Sequence, residues 1–295
     1  MTKNARIHLE SYLFLAPYLA LFIVFFVAPV GIAIGLSLTS FNVLQPPQWV
    51  GLANYVNLLL SDEVFITAVK NTLVFSAVVG PVGFALSFVF AWLIDATGRR
   101  GRTFWTLLFY APSIAGSGIT MVWRLLFSGD RYGILNHLLL RIGLITEPYL
   151  WMVQQATIMP VIIVVSLWMG MGKGFLAQIA GFQSMPPELY EAGRVDGIPS
   201  RWHELWYLTL PLMRPYLLVA AVLQVVESFA VFDIALSIAG FPSPLNAGHT
   251  VVTHLWDYAF RRFEMGYSSA IAVVLFVATY GLNRLLVRLL ATGDE

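Results

Sequence analysis

The sequence predicts an all-α integral membrane protein with six transmembrane helices, on three observations. Its 295 residues are 58% hydrophobic and only 11% charged, against about 25% charged in soluble domains, and mean hydropathy is +0.76. Six stretches are long and apolar enough to cross the hydrocarbon core, which takes ~20 residues: 12–38, 68–95, 104–127, 154–183, 213–238 and 266–290. Their apolar runs are continuous and lack the period-two alternation of a membrane barrel.

Lys3 and Arg6 precede the first apolar run, which is longer than the ~7–15 residues of a signal peptide core. It is therefore read as a retained helix. This gives a tail over 1–11, a membrane domain over 12–291 and a second tail over 292–295. An even number of spans puts both termini on one side. The basic run TGRRGR (97–102) in a very short loop places that side in the cytoplasm. The chain is expected to be a multi-pass membrane protein with both termini in the cytoplasm.

The loop over 41–64 falls outside, with Pro46 and Pro47 blocking a helix and Asp62–Glu63 able to open a short one. A second outer feature, 241–267, combines prolines, aromatic residues and the adjacent Arg261 and Arg262. Gly80–Pro81 in the second span, and Pro112, Gly116 and Gly118 in the third, suit kinks and close packing or a hinge along a solute path. No internal repeat is visible, which argues against an inverted-repeat transporter.

Several chemistries are excluded. There is no cysteine, and the five histidines are scattered without HExxH spacing, so no metal centre is expected. No credible Ser–His–Asp set or paired catalytic carboxylates occur, and a net charge of +1 gives no footprint for nucleic acid. The P-loop pattern is also missing; MGMGKGF (169–175) has Gly172–Lys173 but no glycine at the required upstream position. The chain is not expected to be an enzyme or to carry its own cofactor.

The densest polar cluster, ELYEAGRVDGIPSRWHELWYLTLP (188–211), lies between the fourth and fifth predicted spans. Pro186, Pro187 and Glu188 suit a helix start. Gly197 and Pro199 force a turn, and the helical pattern resumes from Trp202. On pattern alone this is a helix–turn–helix at the membrane surface, or an ordinary amphipathic loop.

EAGRVDG followed by LTLP resembles the EAA motif in permease subunits of bacterial ABC importers. Glu191, Ala192, Asp196, Gly197, Leu210 and Pro211 match; Gly193 stands where the motif has its second alanine. The spacer from Gly197 to Pro211 is one residue longer than the commonest form. The resemblance extends over the six spans, VGLANY (50–55) and SFAVFD (228–233), and is to the sugar importers of the maltose and glycerol-phosphate type. It implies a type I, MetI-like permease fold whose EAA loop inserts a coupling helix into a separate ATPase. ATP and Mg would then sit on that ATPase. The implied partners are a second permease, two ATP-binding subunits and an extracellular solute-binding protein. A non-sugar solute (a polyol or glycerol phosphate) and a stand-alone secondary transporter are the alternatives.

Ionisable residues inside spans are candidates for function because they are costly there: Lys173 in the fourth span, Glu227 and Asp233 in the fifth. At 1.5 Å per residue, Lys173 lies ~15 Å from Gln183 and Glu227 ~24 Å from Pro211, so both fall in the middle zone, and they could simply pair. Gln224, Glu227, Ser228 and Val231 follow the i, i+3, i+4, i+7 spacing of one helix face, a solute-facing stripe or an interhelical seam. Similarity to the maltose-type permease puts Trp168, Gly170 and Lys173 near its sugar-contacting positions. Trp168 would offer an aromatic face, and Gln224, Glu227 and Ser228 hydrogen bonds.

Overall fold

A computed structural model describes residues 14–291, apart from the side chains of Ser117, Leu290 and Ala291. Both predicted tails and the first two residues of the first predicted span lie outside them. Two compact units are resolved. One comprises residues up to Glu63 with His254–Phe276; the other comprises Val64–Thr253 and residues from Val277 onward.

The first unit starts with α1 (Phe14–Leu36), which buries none of its apolar window within the chain. Tyr18, Phe22 and Phe26 stack along it at 6.1 and 5.5 Å. Ile23–Val27 form a π turn just before Pro29. Proline offers no N–H and crowds the preceding turn, and the wider turn absorbs both effects. Beyond it, β1 (Thr39–Ser40) and β2 (Gln48–Trp49) pair antiparallel, with Pro46–Pro47 in their connection. In α2 (Ala53–Leu60), Asn54 Nδ2 donates to the Ser37 and Thr39 carbonyls at 2.8 and 2.9 Å, and the Tyr55 hydroxyl to Ser37 Oγ at 2.7 Å. VGLANY is thus a latch on the end of α1. The short helix precedes Asp62–Glu63 instead of following it, and Glu63 opens a long one.

A polar node closes this unit. His254 is 2% exposed; its Nε2 lies 3.0 Å from Asp62 Oδ2, which also accepts from the Tyr267 hydroxyl at 2.9 Å. The Tyr258 ring packs 4.9 Å from His254 and 4.5 Å from Tyr267. The Arg262 guanidinium covers Tyr258 at 4.2 Å while its Nε donates to Asp257 Oδ2 at 2.7 Å. The adjacent Arg261 and Arg262 therefore share one carboxylate.

The second unit is helical: α3 (Glu63–Asp95), α4 (Arg99–Ile114), α5 (Thr120–Leu126), α6 (Ile134–Arg141), α7 (Gln155–Met169), α8 (Lys173–Gln183), α9 (Pro187–Val195), α10 (Arg201–Glu204), α11 (Leu210–Phe229), α12 (Asp233–Ala239), α13 (Val251–Trp256), which runs into the first unit, and the end of α14 (Met265–Ala291). Five stretches are long and apolar enough to span a membrane: Phe14–Leu36, Glu63–Asp95, Gln155–Gln183, Arg201–Ala239 and Met265–Leu289. The third predicted span is not among them. Where 104–127 was expected to be one helix, the chain breaks after Ile114. Gly116 takes φ +61° and a 3₁₀ turn covers Gly116–Ile119.

Two apolar cores stabilise this unit. Phe75 and Val79 of α3 pack with Ile158, Ile162, Val165, Ala235 and Ile238; further along α3, Ala91 and Ile94 pack with Phe175, Ile179, Phe182 and Met213. Gly174 and Gly181 lie seven apart on one face of α8. A Cβ there would meet the Ala220 carbonyl at 3.2 Å and the Met213 Cε at 2.8 Å, so the missing side chains let α8 lie against α11. The buried Asn136 organises 128–151 by donating to the Ser128, Asp130 and Tyr149 carbonyls and accepting from Trp151 Nε1 at 2.8 Å.

Burial holds the His254 imidazole below its ordinary value, and the Asp62 carboxylate opposes this only in part. The neutral ring is thus favoured in the fold. Its contribution to stability is complete above about pH 6.5 and is lost as pH falls through the lowered pKa. Asp62→Ala should cost about 1–3 kcal/mol by leaving buried groups without their partner, read as a lower melting temperature in detergent. His254→Gln, which cannot titrate, should flatten part of the wild type's acid decline.

Candidate functional site: a broken-helix cavity and a surface lever

Three breaks converge on one cavity of about 300 Å³. Gly116 comes from the break after α4, Gly170 and Gly172 from that between α7 and α8, and Ala230–Phe232 from that between α11 and α12. Irregular backbone is tolerated at membrane depth only where protein or a polar cavity receives its polar groups. Here the Val231 carbonyl accepts from Thr250 Oγ1 at 3.0 Å. Phe75 and Val79 of α3 close an apolar side.

Of the residues singled out in the sequence, Gly170, Gln224, Glu227, Ser228, Val231 and Asp233 line this cavity. Val231 does so from beyond the end of α11, not from the expected helix face, because the helix stops at Phe229. Lys173 is outside the lining. It opens α8, and its charge and backbone amide both act on the Glu227 carboxylate. Gly172 makes that approach possible: a Cβ there would stand 3.2 Å from Glu227 Oε2. Glu227 therefore meets the positive end of the α8 dipole, and the Lys173 charge acts on it as well. Trp168 is not at the cavity; it packs edge-on against Trp123 at 5.3 Å.

Ser113, Ser166, Met169 and Phe232 also line the cavity and were missed. Ser166 is 4% exposed, and its Oγ has no hydrogen-bond partner among the described residues. A lone serine in an apolar run carries too little signal, although the nearby Pro112 and Gly116 did mark an irregularity.

The 188–211 stretch builds a helix, a tight turn and a second helix. Pro186 caps α9 in extended conformation and Pro187 fills its first position. At the other end Ile198 N–H donates to the Gly193 carbonyl at 2.9 Å and Gly197 N–H to that of Arg194 at 3.2 Å. With Gly197 at φ +91°, this is a Schellman stop. Ser200 caps α10, its Oγ accepting from His203 N–H. The two limbs are tied by Arg194 Nε to Glu204 Oε1 at 3.0 Å and by the Tyr190 and Thr209 hydroxyls at 3.1 Å. Burial pushes the Tyr190 phenol above its ordinary value. Arg201 donates to the Trp92 carbonyl at 3.0 Å and lies over the Trp92 ring.

Glu191, Ala192, Asp196, Gly197 and Pro211 are exposed, Leu210 is half-buried and Gly193 is buried. A Cβ on Gly193 would lie 2.7 Å from Leu208 Cδ1 and 3.0 Å from Ile198 Cδ1. Glycine thus lets the limbs close more tightly than alanine would. The long spacer also has a structural counterpart, a π turn over Leu205–Thr209 just ahead of Pro211. A π turn takes up one extra residue inside a helix, so α10, this turn and α11 run on without interruption.

Residues 83–291 match the family of binding-protein-dependent transport system inner membrane components. The chain belongs to that family. It is 32% identical over 92% of its length, and 86% of the relative's, to the Bacillus subtilis (strain 168) protein YesP, described as a "Probable ABC transporter permease protein". The arabinooligosaccharides transport system permease protein AraP of the same organism is 29% identical (90% of this chain, 83% of AraP). So is the sn-glycerol-3-phosphate transport system permease protein UgpA of Yersinia pseudotuberculosis (92% and 91%). A solved bacterial ABC transporter involved in the import of the acidic polysaccharide alginate shares the fold, with a TM-score of 0.81 over 99% of both chains at 23% identity. The family match takes in the 188–211 helix–turn–helix and the breaks at Gly116, Gly170–Gly172 and Ala230–Phe232.

Four outcomes follow for this inner membrane component. Gly193→Ala should cost less than about 1 kcal/mol because the Leu208 end can rotate away, and Gly193→Val about 1–3 kcal/mol, as melting temperatures in detergent. Deleting Tyr207 should convert the π turn to regular helix and cost about 1 kcal/mol. Deleting Leu218 from the regular part of α11 rotates everything beyond it by about 100° and should cost more than about 3 kcal/mol.

Proposed function

We propose that this chain is one of two permease subunits of an ATP-driven importer for a sugar or oligosaccharide. Two ATP-binding subunits would carry ATP and Mg, and an extracellular solute-binding protein would deliver the solute. Both termini and the 188–211 lever would face the cytoplasm, and transport would proceed by alternating access. The observation that carries this reading is the unbroken rod from Arg201 to Phe229. It spans roughly 40 Å at helical rise, with the lever at one end and Gln224, Glu227 and Ser228 at the cavity. Displacement of α9 would reach the cavity through Arg194–Glu204, Tyr190–Thr209 and this rod.

Further features support the partners. On the lever, Glu188, Glu191, Ala192 and Asp196 are exposed beside Val195, which is 88% exposed, a mixed polar and apolar face suited to a cleft in another protein. The bare α1 offers the other permease an aromatic face. The named substrates of AraP and of the lactose permease protein LacF from Rhizobium radiobacter favour a sugar, and hydroxyls and carboxylates beside an apolar wall suit one.

Glu191→Lys and Gly197→Pro should each abolish ATP-dependent uptake in proteoliposomes while the protein still inserts. Proline cannot adopt φ +91°, and a lysine reverses the charge at the docking face. Each variant should also lose co-purification with the ATPase; uptake at the wild-type rate would refute the coupling role.

A further inference from the structure

The cavity is charged in one sense only. Its ionisable lining residues are Glu227 and Asp233, and no Arg, Lys or His lines it. Lys173, the cation beside Glu227, is exposed outside the lining, so it offsets one carboxylate in part and leaves the other. Asp233 has no ion pair among the described residues.

The backbone does not reverse this sign. In a broken transmembrane helix, the N-terminal end of the second half is the usual attractor for an anionic solute group. Here the start of α8 is already met by this chain's own Glu227, whose Oε2 would lie 3.2 Å from a Cβ on the capping residue Gly172. An incoming carboxylate or phosphate would find that end occupied and a like charge beside it.

The remaining polar groups suit an uncharged solute. Ser113 and Ser228 donate to carbonyls of their own helices, Tyr110 at 2.7 Å and Val225 at 2.9 Å, and keep oxygen lone pairs free to accept. Ser166 Oγ, buried and without a partner among the described residues, can both donate and accept. With two carboxylate acceptors, this wall matches a solute rich in hydroxyl donors, the chemistry of a neutral sugar or polyol.

We infer that this subunit's wall of the transport path admits uncharged polyhydroxylated solutes and repels anionic ones such as uronates and sugar phosphates, through Glu227 and Asp233 acting together. The inference rests on the cavity being the path. A cleft lined by one sign of charge between low-dielectric walls changes local ion concentration by about tenfold or more.

The chain contains no cysteine, so a single introduced thiol reports on the cavity alone. Ala230→Cys, at an exposed lining position, is placed in the assembled importer in proteoliposomes, with Met169→Cys as a second site. Each is reacted with a cationic and an anionic methanethiosulfonate of similar size. Rates are normalised to those of a small thiol in solution, and modification of this chain is read by mass. The cationic reagent should be favoured about tenfold or more, and Glu227→Gln with Asp233→Asn should bring the ratio close to the solution value. A ratio at the solution value before neutralisation, or one unchanged by it, overturns the inference while leaving the permease reading intact. Absence of modification by either reagent at both sites, in importers that still transport, overturns the path reading itself.

Discussion

Backbone amides and carbonyls removed from water must be paired, and each one left bare at membrane depth costs several kcal/mol. That constraint makes the meeting of three broken helices the central fact of this structure. A break facing lipid would be prohibitive; three breaks turned toward a shared polar space can be held by hydroxyls, carboxylates and one another. Thr250 on the Val231 carbonyl is one of those contacts, and the Glu227 carboxylate close against Gly172 at the start of α8 is another. The glycines at 172, 174 and 181 bring the elements close enough for such contacts to form.

The same constraint distinguishes the two ends of α11. Toward the 188–211 stretch the helix widens into a π turn but does not stop, so hydrogen bonding continues. Toward the cavity it ends at Phe229, and three residues separate it from the next helix at Asp233. The continuous end and the broken end of one element are thereby separated by its packing against α8.

Much of this was legible in the sequence, because it depends on local composition. Apolar length located the spans, and prolines and glycines marked where helices start, bend or stop. The paired glycine and polar pattern at 188–211 gave the helix–turn–helix. What was not legible depends on partners distant in the chain. Ser166 acquires meaning only from the residues it faces, and Trp168 was expected at a solute but lies against Trp123. Counting along a regular helix placed Val231 on a face that ends two residues earlier. The continuous third span failed for a related reason: hydropathy measures how apolar 104–127 is, but not whether Gly116 will leave the right-handed region.

One feature bears on how the chain is made. Asp62 takes its partners from His254 and Tyr267, 192 and 205 residues further on, and the unit they close is interrupted by nearly all of the other. The hairpin and the α1 latch can form from neighbouring residues soon after synthesis begins. The node cannot, since contacts of such separation must wait for the chain between them. The unit containing the first span therefore stays open until its second segment has been made, so a ribosome releasing this protein early would leave the Asp62 carboxylate without its two distant partners.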